Sequence, residues 1–136
     1  MADFDFNELK DKLEDMNNTA DTTSSYDPAD VTKNKGMAIL AYFSWLVLIP
    51  LLCAKESRFA RFHSNQGLLL AIVETIAGII FGALRGIPLI GWVFAIIGAA
   101  VEIVMIVMLV IGVVNAANGR AKELPVIGTI HLLNEQ

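Results

Sequence analysis

Glu74 and Glu102 are the residues whose chemistry most needs an account. Both are carboxylic acids inside Met37 to Ala117, an otherwise apolar run with one strongly polar interruption. Each lies fourteen positions from Pro88. If two unbroken helices flank a turn centred there, both carboxyls lie about 17 to 20 Å from the turn, near the middle of a bilayer. No Lys, Arg or His occurs at that depth to neutralise them. Charged carboxylates in hydrocarbon are costly, so the pair is expected to share protons rather than carry two charges. Such a pair can bind a cation, pass protons or gate a path. It can equally hydrogen-bond across a helix interface, with Thr75 and Asn115 helping to satisfy it.

Small residues accompany both acids at helical spacing. Gly67, Ala71, Glu74, Gly78 and Gly82 follow steps of four, three, four and four, and Gly91, Ala95, Gly98, Glu102, Met105, Leu109, Gly112 and Ala116 repeat the pattern. Small faces let helix backbones approach, while the Val and Ile of the opposite face suit lipid. The two stripes are therefore expected to be buried in an antiparallel hairpin, against each other or around an earlier span.

The polar interruption, KESRFARFHSNQG at Lys55 to Gly67, interleaves Lys55, Arg58 and Arg61 with Phe59, Phe62 and His63. Rings at headgroup level and cations reaching toward phosphate make this an expected interfacial hinge for anionic lipid headgroups. Its His63 to Gln66 cluster reads as helix-start chemistry. His63 and His131 could meet and bind metal, but two lone histidines make a poor site. Cys53 stands alone, so no disulfide or thiolate zinc site forms within one chain. The chain shows no nucleophile-base-acid set, phosphate loop or metal constellation, so neither an enzyme nor a cofactor is expected. Three neighbouring cations are too few to track nucleic acid.

The elements that must position these groups follow from hydropathy. Met37 to Ala54 is uncharged and reaches roughly 27 Å as a helix, just enough to span, with Tyr42 and Trp45 early and Pro50 as a possible kink. Gly67 to Leu84 forms a second span, Arg85 to Gly91 (RGIPLIG) a surface turn, and Leu89 to Ala117 a run of roughly 43 Å. That last run is either one long helix or a re-entrant segment followed by a crossing. About a dozen residues before Val101 are too few to cross alone, which favours three crossings. Asn118 and Gly119 stop the helix, and KELPVIGTIHLLNEQ lies at the interface.

Residues 1 to 36 form a polar, acidic tail. Phe6, Leu9, Leu13 and Met16 give a short amphipathic helix, and Asn17 to Lys35 reads as a flexible tether. Nine acidic residues before Met37 dominate the net charge of −4, and 55% of the chain is hydrophobic. No positive n-region followed by an apolar core opens the chain, so the first span is expected to act as an uncleaved signal. With three crossings, five cations (Lys55, Arg58, Arg61, Arg120, Lys122) face three (Lys33, Lys35, Arg85). The positive-inside bias then places the hinge in the cytoplasm and the N-terminus outside. A fourth crossing would bring the N-terminus and the tail to one side.

Three stretches carry a resemblance: KESRFARFHSNQG at Lys55 to Gly67, PLIGW at Pro88 to Trp92, and NAANGRAKELPVIG at Asn115 to Gly128. Over about Met37 to Leu133 the chain resembles a family of small bacterial membrane proteins similar to the MamF-type magnetosome membrane proteins. More distantly it is similar to the channel-forming subunit of the plastid inner-envelope protein translocon. The first likeness implies a bacterial inner-membrane protein; the second implies a four-span channel component. Some relatives carry a cysteine-bearing zinc ribbon, whereas Cys53 here lies inside the membrane run.

The expectation is an all-α integral membrane bundle of three transmembrane segments, or four, behind a polar N-terminal tail. It self-associates or docks another membrane protein through Gly78, Gly82, Gly98 and Gly112. The alternative is a transporter, channel or translocation subunit using Glu74 and Glu102.

Overall fold

The structure, a computed structural model, describes residues 6–16, 19–127 and 130, without the side chain of Leu13. Among the described residues five α-helices form: α1 (Phe6–Met16), α2 (Pro28–Leu40), α3 (Leu48–Cys53), α4 (Arg58–Leu84) and α5 (Gly91–Ala117). Short 3-10 turns lie at Thr23–Ser25 and Ser44–Val47. The chain is all-helical, with no strand among the described residues, and α4 and α5 are each apolar and long enough to cross a membrane.

Local chemistry explains where α2 begins. The Asp27 side chain accepts from the Ala29 N–H at 3.0 Å, and Pro28 opens the helix with its ring pre-set for the first turn. The helix kinks at Asn34, whose amide reaches back to the Asp30 carboxylate at 2.7 Å. Residues expected as a tether are thus folded over much of their length; Asn17 and Asn18 lie outside the described residues.

Met37 to Ala54, expected as the first crossing, is not one helix. α2 ends at Leu40, Ser44 adopts a left-handed conformation with φ 54°, and the chain resumes through the 3-10 turn into α3. Pro50 accounts for part of the break, because its ring would clash with the carbonyl of residue 46 in a continuous helix. At its actual place in the first turn of α3 its missing N–H costs nothing. The two ends of the segment meet: Asp30 of α2 accepts from the Ser57 hydroxyl at 2.6 Å and from the Phe59 N–H at 3.1 Å. At the far point, the Trp45 indole donates to the Thr75 hydroxyl of α4 at 3.0 Å. The stretch therefore runs up beside α4 and comes back to the start of that helix.

α4 begins earlier than expected, at Arg58, capped by the Ser57 hydroxyl accepting from the Ala60 N–H at 3.0 Å. Most of the expected hinge is consequently helix, and Phe59, Phe62, His63, Asn65 and Gln66 are buried. A turn with Leu89 at φ 75° joins α4 to α5. Asn118 and Gly119 end α5 as expected, with Gly119 at φ 68°. Arg120 N–H reaches Asn115 O at 2.8 Å and Gly119 N–H reaches Ala116 O at 3.1 Å, the double closure of a Schellman cap.

The core sits at the end of the molecule where α4 starts and α5 finishes, hereafter the base. Tyr26, Tyr42, Phe59, Phe62, Met108 and Leu124 meet there. Toward the connecting turn the molecule thins to α4 and α5 alone, with Ile79 and Ile96 exposed by 68% and 62%. At the base, α1 stands beside Ile106, Val110 and Val114 of α5 across a hollow of about 410 Å3 that Leu9 also lines.

Candidate functional site

Two arrangements bring chemistry-bearing residues together, one at the base and one in the thin half. At the base, α4 turns a polar stripe inward onto the chain that follows α5. His63 Nε2 donates to the Arg120 carbonyl at 2.8 Å, the Gln66 side-chain oxygen accepts from the Leu124 N–H at 2.8 Å, and the Asn65 amide donates to the Ile130 carbonyl at 2.9 Å. A carbonyl can only accept, so His63 Nε2 carries the hydrogen and Nδ1 accepts from the Tyr42 hydroxyl. The rings of Phe59, Phe62 and Tyr42 meet the imidazole edge-on at 4.8, 5.2 and 5.4 Å between centroids.

The N-terminal side closes this knot. Thr22 N–H donates to Ala121 O at 3.0 Å, Glu123 N–H to Ala20 O at 3.1 Å, and Ala121 N–H to the Thr23 hydroxyl at 2.9 Å. Burial of the Asp30 carboxylate works against its charge, yet the hydrogen bonds from Ser57, Phe59 and Asn34 outweigh it and hold the carboxyl below its ordinary value. The Thr23 hydroxyl likewise holds Asp21 low, against the opposing effect of burial.

This stripe holds chain to chain and presents no chemistry to a substrate. Both nitrogens of His63 are engaged, and no group of His, Cys, Asp and Glu able to hold a metal occurs among the described residues. His131, the other candidate ligand, lies outside those residues. His63 is wholly buried, unlike the exposed Lys55 and Arg58 and the half-buried Arg61 with which it was grouped as interfacial. The two longer stretches that carry the family resemblance, one at the start of α4 and one after α5, are the two halves of this clasp.

In the thin half, α4 and α5 flank an open cleft of about 300 Å3 lined by Gly78, Phe81, Gly82, Arg85, Gly98 and Glu102, among others. Its glycines differ in kind. A Cβ at Gly78 or Gly82 would meet nothing within 4 Å, whereas one at Gly98 would lie 3.2 Å from Phe81 Cβ. Gly112 belongs to the base core, where an added Cβ would fall 2.2 Å from the Tyr42 ring. Of the stripes expected to be buried against each other or around the first span, Gly67 and Gly112 pack on Ala41 and Tyr42 and Gly98 on Phe81, while Gly78 and Gly82 face open space. The carboxyls also part company: exposed Glu102 lines the cleft, while half-buried Glu74 does not.

Residues that hydropathy did not single out are Tyr42 as a hydrogen-bond donor, Asp30 as a cap shared between elements, and Ser57. The signals were present in Asp27-Pro28 and in the i, i+3 spacing of His63 and Gln66, but their partners lie tens of residues away.

Comparison with known proteins gives these motifs a family. Residues 33–133 match the model of the magnetosome magnetite crystal formation protein family. A UPF0132 membrane protein of Methanocaldococcus jannaschii is 33% identical over 68% of this chain and 63% of its own length, so the match spans less than two thirds of that relative. The magnetosome proteins MmsF and MamF of Paramagnetospirillum magneticum are 33% and 34% identical, over 69% and 68% of this chain and 81% and 77% of theirs. No solved structure matches the chain. The matched region holds α2 from its last two turns, the returning segment, α4, α5 and the clasp, and on it the chain belongs to the magnetosome magnetite crystal formation family of membrane proteins.

Proposed function

We propose that this chain is a non-enzymatic, multi-pass component of the bacterial inner membrane that self-associates, or docks another membrane protein, through the open face between α4 and α5. The observation that carries this reading is the empty space over Gly78 and Gly82. Among the described residues nothing requires these two positions to be small, whereas a second helix crossing there would. The exposed Glu102 on the same face adds support, since an ionisable group at that depth belongs against protein rather than lipid. Transport through paired carboxyls has less support, because Glu74 does not line the cleft.

Two crossings, α4 and α5, fit this reading best, with Met37 to Ala54 entering the bilayer from the base and returning to it. Non-helical backbone at that depth is tolerated where protein covers it, as α4 covers Ala41 and Tyr42 here. The base then gathers Lys33, Lys35, Lys55, Arg58, Arg61, Arg120 and Lys122, against Arg85 alone at the far turn. Lys33 lines one hollow with Lys55, and Lys35 lies beside Gly119, so both belong with the base. The positive-inside rule puts this basic end, with the N-terminal tail, in the cytoplasm against anionic headgroups.

Replacing Gly78 and Gly82 together with Leu tests the assembly reading. The added side chains enter open space, so the fold is expected to stand while crosslinked oligomers fall away. An unchanged oligomer distribution removes the reading.

A further inference from the structure

The returning segment gives the molecule a shape whose consequence is independent of assembly. Thr75, which meets Trp45 at the tip, lies nine residues before the end of α4 at Leu84. That distance is about 14 Å, close to half of a hydrocarbon core of about 30 Å. The tip therefore stops near the midplane. Between tip and base the cross-section holds the end of α2, the 3-10 turn with α3, α4 and α5, with α1 beside Ile106, Val110 and Val114 of α5. Beyond the tip it holds α4 and α5 only, about half as many helices of about 10 Å diameter.

Burial follows the same taper. Phe59 to Ala71 of α4 is mostly buried, while Val73 to Leu84 is exposed or half-exposed. The outer side of the returning segment is apolar: Phe43, Trp45, Leu46, Leu48 and Leu52 are exposed, Leu52 by 68%. Lys55 and Glu56 follow at once as exposed charges and mark where this surface meets water. A segment with such a face lies in acyl chains, in one leaflet only.

We propose that the chain acts as a one-leaflet wedge that prefers, and at high density promotes, membrane convex on its basic side. Extra protein in the base-side leaflet spreads those lipids, while the far leaflet accommodates two helices. Bending toward the far side relieves the mismatch. The partner is the lipid bilayer itself in a curved form, and the preference has a sign fixed by the position of the segment.

The test uses the full chain, reconstituted in both orientations in giant vesicles from which narrow tubes are pulled. In a Cys53→Ala background, a membrane-impermeant fluorescent thiol reagent marks only base-outward molecules through Glu56→Cys and only base-inward molecules through Gly86→Cys. Base-outward copies should be denser on the tube than on the vesicle, by a ratio that grows as the tube narrows. Base-inward copies should be depleted. Equal ratios for the two orientations would overturn the proposal with every exposed leucine of the segment intact.

Two further arms separate the wedge from assembly. Gly78→Leu with Gly82→Leu should keep the sorting, and its loss there would assign curvature preference to oligomers and contradict the wedge. Leu48→Lys with Leu52→Lys changes two exposed positions and draws α3 toward the interface. The tube-to-vesicle ratio should then fall toward one, and an undiminished ratio would rule the segment out as its source.

Discussion

At the scale of the residue, the base is held by polar side chains that have been taken out of water and paired. His63, Asn65 and Gln66 each bind main chain beyond α5, and Asp30 binds both the hydroxyl that caps α4 and the main chain just inside it. Breaking a bond of His63, Asn65 or Gln66 leaves a buried donor or acceptor unmet, a cost of about 1 to 3 kcal/mol, while the bonds of half-buried Asp30 are worth less. Asp30 also makes stability depend on acid. Its carboxyl sits below the ordinary value in the folded chain, so its contribution is complete above the unfolded value of about 3.9 and disappears as pH falls through the lower folded value. Thermal unfolding in detergent should therefore show a midpoint that drops below about pH 4. Asp30→Asn should lower the midpoint at neutral pH and flatten that acid limb. A limb unchanged in the variant would assign the acid sensitivity elsewhere. The two glutamates taught the reverse lesson. Equal spacing from Pro88 gave them a common depth, but depth says nothing of which way a side chain faces, and only Glu102 meets the cleft.

At the scale of the element, hydropathy located α4 and α5 because each is a long apolar helix, and the stop at Asn118 and Gly119 was legible from residue type alone. Met37 to Ala54 reads as one uninterrupted span but is broken into the end of α2, a 3-10 turn and α3, because hydropathy counts charges and not backbone breaks. Pro50 was the visible warning; the Asp30 to Ser57 pairing that closes the segment was not visible, since it joins residues far apart in the chain. The polar start of α4 failed for a related reason. His63 to Gln66 suits an interface until the strand of chain that covers it is known. Glycines carry the sharpest contrast. An added Cβ at Gly67 would lie 1.8 Å from the Ala41 carbonyl oxygen, so α2 and α4 could no longer touch there. Gly67→Ala should cost about 1 to 3 kcal/mol by forced separation of backbone, or prevent folding outright. Gly78→Ala meets open space and should leave monomer stability within about 0.5 kcal/mol, or raise it slightly through helix propensity. Unfolding curves of the two variants side by side decide this, and equal losses would contradict the packing described.

At the scale of the whole molecule, a compact base of mixed polar and aromatic contacts joins two helices long and apolar enough to cross a membrane, and the proposed topology adds one segment that enters part of the way. The family motifs lie mainly in the base clasp, which explains how a resemblance carried by polar residues marks a membrane protein. The account depends on the returning segment: with it, the N-terminal side, the start of α4 and the chain after α5 share one face of the membrane; without it, the N-terminal side would join Arg85 on the other. The direct measurement is thiol labelling of intact spheroplasts with an impermeant reagent, using Lys33→Cys, Glu56→Cys and Gly86→Cys one at a time in a Cys53→Ala background. Gly86→Cys should label from outside, while Lys33→Cys and Glu56→Cys should label only after the membrane is opened. Labelling of Lys33→Cys from outside together with Gly86→Cys would contradict the returning segment and restore a crossing between residues 37 and 54.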